Sequence, residues 1–253
     1  MSESGEFVQS LARGLEVIRA FDAENPALTL SDVARRADLT RAAARRFLQT
    51  LETLGYVRAD GRVFSLTPRV LELGFSYLSA LSLPALAQPH LERLSREVGE
   101  SVSSAVLDGA DIVYVARVPT RRIMSVGITI GTRFPAYATS MGRVLLAALP
   151  REQAREIVSV SHPTSLTPRT RTDVDAIVAE LDTVRAQGWS LVDGELEEGL
   201  RSLAAPVHDR QGVVVAAVNI SASARGDAAT WGEECLPALR TAAGAIDADL
   251  RLV

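Results

Sequence analysis

Lysine is absent from this chain of 253 residues: all 27 of its basic side chains are arginine. Such a complement follows from base composition and names no function by itself. What matters is where the arginines cluster. Cysteine is almost absent too, and the single Cys235 excludes an internal disulfide or a cysteine zinc cluster. No apolar run approaches the roughly 20 residues needed to span a bilayer. The opening MSESGEF is acidic and has no apolar core, so it does not read as a signal peptide. Histidine is scarce, with His90, His162 and His208 scattered beside Pro89, Pro163 and Asp209, as expected of surface positions. They form neither a triad nor a metal-ligand spacing, and the chain has no G-x-S-x-G, H-E-x-x-H or P-loop segment. No catalytic residue, metal or cofactor is therefore expected.

What is present is an apolar share of 47% with 17 Gly and 11 Pro, ample for packed cores and unlike disordered or collagenous chains. At roughly 150 residues per domain, the length fits one large domain or two small ones. The expected class is a soluble, cytoplasmic protein. Its net charge of −4 hides an uneven distribution. Residues 1–70 carry ten Arg against nine acids, and residues 71–150 seven against six, each segment +1. Residues 151–253 carry ten against sixteen, or −6.

Spacing gives the elements. Val8, Leu11, Leu15, Ile18 and Phe21 mark an amphipathic helix. A short strand follows at Leu28–Leu30, then a helix capped by Ser31 and running through Ala37. Another helix, capped by Thr40, stops at Gly55. Asp60-Gly61 between two β-prone runs predicts a hairpin. Residues 68–83 read as a linker helix, and a further helix runs from Leu83-Pro84 to Val98. Strands are expected at Ser101–Leu107, Ile112–Val118 and Ile123–Ile128. Helices follow over Ser140–Leu149 and Arg151–Val158, and Thr172 is read as the cap of another reaching Gln187. Three more strands, Trp189–Val192, Leu203–Val207 and Val213–Ile220, precede a closing helix at Trp231–Leu250. The fold class is α+β, divided into residues 1–67, a linker helix 68–83 and residues 84–253.

Leu30–Gln49 fits the register of a helix-turn-helix, with apolar Val33, Ala34, Ala37, Leu39, Ala44 and Phe47 at the core positions. Ala34 falls where the two helices approach closest, and Asp38 at a turn position that usually holds Gly. The second helix buries Ala44, Phe47, Leu48, Leu51 and Leu54. Its outer face presents Arg41, Ala42, Arg45, Arg46 and Gln49, after the cap Thr40. Three arginines and no acid over 40–50 suit a helix entering the major groove. Arg58 and Arg62 place charge on the hairpin wing, suited to backbone or minor-groove contact. The expected partner is double-stranded DNA.

These segments resemble the IclR family of transcriptional regulators over essentially the full length. The resemblance rests on Leu11-Ala12-Arg13-Gly14-Leu15, Leu30–Ala34, Phe47–Leu51, Gly55-Tyr56-Val57 and Leu71–Gly74. Arg133–Ala147, Tyr114-Val115-Ala116-Arg117 and Arg122–Ser125 are especially similar to members governing protocatechuate, 4-hydroxybenzoate and β-ketoadipate catabolism. The resemblance implies an N-terminal winged helix-turn-helix domain and a C-terminal GAF-like effector-binding domain with a central antiparallel sheet. It also implies homodimers that often pair into tetramers, and a palindromic operator.

In the C-terminal part, Thr139-Ser140 before the helix brings hydroxyls and amides to a helix N-terminus, which accepts a carboxylate. The family's effector positions fall here on Ser140, Met141, Asp193, Ser202, Asn219 and Ser221. Asn219 and Ser221, two apart on a strand, face one side. Asp193 is the one inward-facing candidate of the acidic run Asp193–Glu198, which otherwise reads as a solvated loop. Arg122, Arg133 and Tyr137 are further candidates to contact the effector, and Met141 suits an aromatic ring. The expected effector is an aromatic acid or its ring-cleavage product; the alternative is a small aliphatic acid such as glyoxylate or pyruvate. A protein-interaction winged helix with a vestigial effector domain is a third reading.

Overall fold

The computed structural model describes residues 7–73, 82–120 and 128–252, and the chain divides into two units, residues 1–80 and 81–253. In the first unit, α1 (Gln9–Arg19) is followed by β1 (Ala27–Thr29), α2 (Leu30–Arg36), α3 (Arg41–Thr53), β2 (Val57–Asp60) and β3 (Val63–Leu66). The strands form an antiparallel sheet in the order β1-β3-β2. Val17, Val33, Ala44 and Leu48 are wholly buried at the centre of the helices. Each large apolar side chain buried this way contributes about 1.5–3 kcal/mol.

The turn between α2 and α3 is made by Asp38, which takes φ of +50°. Aspartate is one of the few side chains that tolerate this region, which explains its use where glycine is usual. The cap of α2 is Thr29 rather than Ser31: the Thr29 hydroxyl accepts from Asp32 N while the Asp32 carboxylate accepts from Thr29 N. A cap at Ser31 would place Ala34 at the reciprocal position, where no side chain can return the bond. Thr40 caps α3 as expected, accepting from Ala43 N at 3.2 Å. Leu54, expected inside, is half exposed. Asp60 pairs with Val63, so the hairpin loop is Gly61-Arg62, one residue later than the spacing suggests. Of the expected linker helix, Pro68–Val70 form a 3-10 turn and 71–73 are helical. Residues 74–81 lie outside the described residues, and Ser82 already belongs to the next helix.

The second unit begins with α4 (Ser82–Val98), β4 (Ser101–Asp108) and β5 (Asp111–Val118), then β6 (Arg133–Pro135). Three helices follow, α5 (Ser140–Ala147), α6 (Arg151–Val160) and α7 (Val174–Gln187). β7 (Ser190–Asp193), β8 (Leu200–His208), β9 (Val214–Ser223) and α8 (Ala228–Leu250) complete it. Six antiparallel strands lie in the order β6-β5-β4-β9-β8-β7. Helices α4 and α8 cover one face around Leu91, Leu203, Ile220 and Leu239. Helices α5, α6 and α7 cover the other around Met141, Leu146, Ile177 and Leu181.

The edge strand is Arg133–Pro135, not the expected Ile123–Ile128. Residues 123–127 lie outside the described residues, and Ile128 is not in a strand. The cap of α7 is Asp173, which accepts from Ala176 N at 2.8 Å, rather than Thr172. Its negative charge adds an attraction for the helix N-terminus that a threonine lacks. His90 and His208 are not loose surface groups: they bond to Asp249 and Asp247 of α8 at 2.7 and 2.9 Å.

Candidate nucleic-acid interface and ligand cavity

Helix α3 buries Ala44, Leu48 and Leu51 and leaves Arg41, Ala42, Arg45, Arg46 and Gln49 exposed. A rotation of 100° per residue divides that outer surface into two flanks. On one, Arg41, Arg45 and Gln49 border a groove of about 580 Å³ closed on its far side by Ala59, Gly61 and Arg62 of the hairpin. On the other, Arg46 and Thr50 border a groove of about 400 Å³ shared with Gln9, Ser10 and Arg13 of α1. Arg58 stands apart from both; its Nε donates to Ser65 Oγ at 3.0 Å across the hairpin. The structure thus brings Arg41, Arg45, Gln49 and Arg62 together and separates Arg46 from them.

A second site lies where α5 starts against the sheet. Its position depends on Gly142: a Cβ there would stand 2.2 Å from Ala136 O, so only glycine lets α5 pack this closely on the preceding turn. Thr139 caps the helix, accepting from Gly142 N at 3.1 Å. Among the described residues, the Ser140 and Met141 amides make no hydrogen bond. They open onto a cavity whose polar wall is Ser140, Ser202, Asn219 and Ser221, with Tyr114, Met141, Val192, Leu196, Leu200 and Ile128 around it. Ser140 Oγ donates to Ser202 Oγ at 2.8 Å, and Asn219 Nδ2 to Ser221 Oγ at 2.9 Å. Asn219 Oδ1 is buried without any partner, an arrangement costing about 1–3 kcal/mol until a donor arrives.

The cavity volume is about 10 Å³, room for roughly one water. Leu196, Leu200 and Ile128 separate it from an outer apolar recess of about 290 Å³ beside Phe134 and Leu166.

Three sequence-expected residues stand outside this wall. Side chains alternate along β7, so with Val192 facing the cavity, Asp193 faces the opposite side. There its carboxylate accepts from Arg201 Nε at 2.9 Å and Arg169 Nη1 at 2.8 Å. Tyr137 is buried with its hydroxyl bonded to the Thr164 backbone, both accepting from N and donating to O at 3.1 Å. Arg133 is held by Asp108 at 2.6 Å and Asp111 at 3.2 Å; its guanidinium pKa is raised chiefly by the Asp108 hydrogen bond. Arg122 lies outside the described residues.

The structure adds two groups that spacing did not reveal. Arg117 on β5 pairs with Ser103, which pairs in turn with Asn219, so all three share the cavity face. Its Nη1 donates to Ser103 Oγ at 3.1 Å, and burial lowers its pKa with no carboxylate opposing the shift. Burial also pushes the neighbouring Tyr114 hydroxyl up to about 12. An arginine inside the apolar run of β5 was the available signal. The other addition is a buried ion pair. Arg143 of α5 donates to Glu195 at 2.6 Å, and Glu195 also accepts from Arg171 N at 3.0 Å. Glu195, expected in a solvated loop, is only 6% exposed; it ties α5 to the loop that carries Leu196.

Comparison with known proteins follows this two-part layout. Residues 10–61 match the IclR helix-turn-helix domain, and residues 75–248 the bacterial transcriptional regulator IclR C-terminal domain. The Pca regulon regulatory protein of Pseudomonas putida is 48% identical over 217 residues, covering 85% of this chain and 75% of that protein. A transcriptional regulator from Rhodococcus sp. RHA1 has a crystal structure with TM-score 0.86 and 60% identity, over 96% of this chain and 98% of that one. An IclR homolog from Microbacterium hydrocarbonoxydans, crystallised with 4-hydroxybenzoate, superposes with TM-score 0.85 at 30% identity, covering 96% of this chain and all of that one. Among the described residues, no helix is long and apolar enough to cross a membrane, and no three metal-binding side chains are grouped to hold an ion.

Proposed function

The chain belongs to the IclR family of bacterial transcriptional regulators, and from that premise we propose that it controls aromatic-acid catabolism genes by binding a hydroxylated aromatic acid. In this reading the effector carboxylate is received by the free Ser140 and Met141 amides under the positive field of Arg117. A ring hydroxyl donates to Asn219 Oδ1. The observation that carries the reading is this pairing of open helix-terminal amides with an unmet buried acceptor inside one apolar cavity. The Microbacterium homolog, crystallised with 4-hydroxybenzoate, supports the choice of ligand class, and the Pca regulon regulatory protein of Pseudomonas putida supports the regulatory role.

The DNA partner is read by α3, with Arg41, Arg45, Arg46 and Gln49 on its outer face, after the cap Thr40 and Ala42, and by the Arg58 and Arg62 wing. Phe7, Val8, Leu11 and Leu15 of the N-terminal segment are 73%, 60%, 64% and 46% exposed, an apolar stripe suited to a second copy of the chain. A dimer built on it would meet a palindromic operator with two reading helices. Effector binding would then alter half-site fit through residues 68–83, a coupling of about 1–3 kcal/mol.

Isothermal titration of the full chain with protocatechuate, 4-hydroxybenzoate and β-ketoadipate tests the ligand. Heat is expected from at least one, and Asn219→Ala should weaken the binding of a hydroxylated ring by roughly tenfold. No heat from any of the three would overturn the assignment. The small volume favours one second reading, an aliphatic acid of the size of glyoxylate or pyruvate, and the same titration with those acids decides it.

A further inference from the structure

Residues 1–80 contain ten arginines. Four are tied to acids: Arg19 to Glu16, Arg35 to Asp32, Arg36 to Asp22 and Arg69 to Glu72. Arg58 is bonded within the wing. Among the described residues, the other five have no acidic partner: Arg13, Arg41, Arg45, Arg46 and Arg62. These five occupy the two grooves that flank α3, three on the wing side and two, Arg13 and Arg46, on the α1 side.

We propose that the groove between α1 and α3 is a phosphate cradle that grips the DNA backbone on the flank of α3 opposite the wing. The proposal rests on reading α3 as the helix that enters the major groove, and adds a contact that reading does not contain. Two guanidiniums on one concavity repel each other unless an anion lies between them. The rest of the lining suits a phosphate: Gln9 and Ser10 offer neutral donors, and Phe47 and Ala43 supply an apolar floor. No acid lines the groove to compete for the two cations.

The dimensions agree. An α-helix with its side chains is about 10–12 Å across and the major groove about 12 Å wide. When the helix enters, the two phosphate strands run along its two flanks. The wing groove meets one strand and the α1 groove the other. Arg13 sits on α1, beside the reading helix rather than on it, so its contact fixes register without reading sequence. It is also two residues from both Leu11 and Leu15, about 200° around α1 from each. A partner covering the exposed stripe would therefore leave Arg13 free for DNA.

Fluorescence anisotropy on the full chain tests this, between about 50 and 200 mM salt. Two duplexes are compared: one selected by the wild-type protein from a random library, and one of unselected sequence. Arg13→Gln is expected to weaken both by roughly tenfold at low salt and leave their ratio unchanged. Its log–log salt slope should be shallower by about 0.9, the loss of one phosphate contact. Arg13→Lys should restore most of the slope, whereas Arg45→Ala should reduce the ratio between the duplexes. Wild-type affinity and slope in Arg13→Gln would overturn the cradle while leaving the α3 reading intact. A loss confined to the selected duplex would make Arg13 a sequence reader and overturn it too. Failure of the wild-type protein to enrich any duplex from the library or to bind the unselected one would remove the α3 reading itself.

Discussion

The surface around α3 and the C-terminal segment use arginine in opposite ways. Around α3, Arg41, Arg45, Arg46 and Arg62 line open grooves and, among the described residues, form no ion pair, although Glu52 also borders the wing-side groove. In residues 151–253, six of the ten arginines are ion-paired: Arg151, Arg155, Arg169, Arg171, Arg185 and Arg201. The sixteen acids of that segment are what make the difference. An arginine supplied with a carboxylate is occupied within the protein, and one denied it remains available to an external anion. The overall charge of −4 therefore describes neither region. It averages the arginines left free around α3 with a C-terminal set mostly paired internally.

The comparison breaks first at its most buried pair. Arg143 is wholly buried in the second unit, and among the described residues Glu195 is its one acidic partner. Glu195→Ala would leave a guanidinium out of water with no counter-charge, at a cost of about 3–5 kcal/mol. A large fall in the unfolding transition of the C-terminal unit by calorimetry is expected. Replacing both partners, Arg143→Met with Glu195→Leu, should recover much of it, because the uncompensated charge goes as well. An equal loss in the single and double variants would show that packing, not charge, holds this contact.

The free arginines should behave differently. Arg45→Ala removes a solvent-facing charge and should leave the melting temperature unchanged. The loss belongs in DNA affinity, about 1–3 kcal/mol on a selected duplex if the guanidinium reads a guanine edge. A drop in stability with unaltered DNA binding would erase the contrast drawn between the two regions. The same measurement on Arg41→Ala shows how far the wing-side flank acts as one surface.

What the sequence disclosed divides along similar lines. Local signals were readable: Thr40 as a cap, Asp38 in the tight turn and the outer face of α3 each depend on residues within one helical turn. Ser140, Met141, Ser202, Asn219 and Ser221, assigned through family resemblance, come together in one cavity. Asp193 departs because its side is set by the register of β7, where one position reverses the face. Glu195 departs because its partner lies 52 residues away, and an acidic run carries no mark of a distant cation. Tyr137 was read as a pocket hydroxyl, but Thr164 of the 161–171 loop, far from it in sequence, takes both of its hydrogen bonds. Arg13 lay in a segment read only as an amphipathic helix and a family resemblance, and only the approach of α1 to α3 brings it beside Arg46.

The smallest expected effect sharpens the comparison from its other end. Arg151 bonds to Asp182 at 3.0 Å on the surface, with about half of each side chain in solvent. The hydrogen bond from Arg151 is the largest cause holding the Asp182 carboxyl below its usual value of 3.8. A carboxyl lowered in the folded state stabilises above its unfolded pKa, and that stabilisation is lost as pH falls through the folded value. Arg151→Ala should therefore be indistinguishable from the wild-type protein in thermal melts at pH 7, since water screens the pair. Between about pH 5 and pH 2, its melting temperature should fall slightly less steeply than that of the wild-type chain, because less pKa lowering remains to be lost. A sizeable loss at pH 7 would mean that this exposed pair acts as Arg143 and Glu195 do, and that burial is not what separates structural arginines from idle ones.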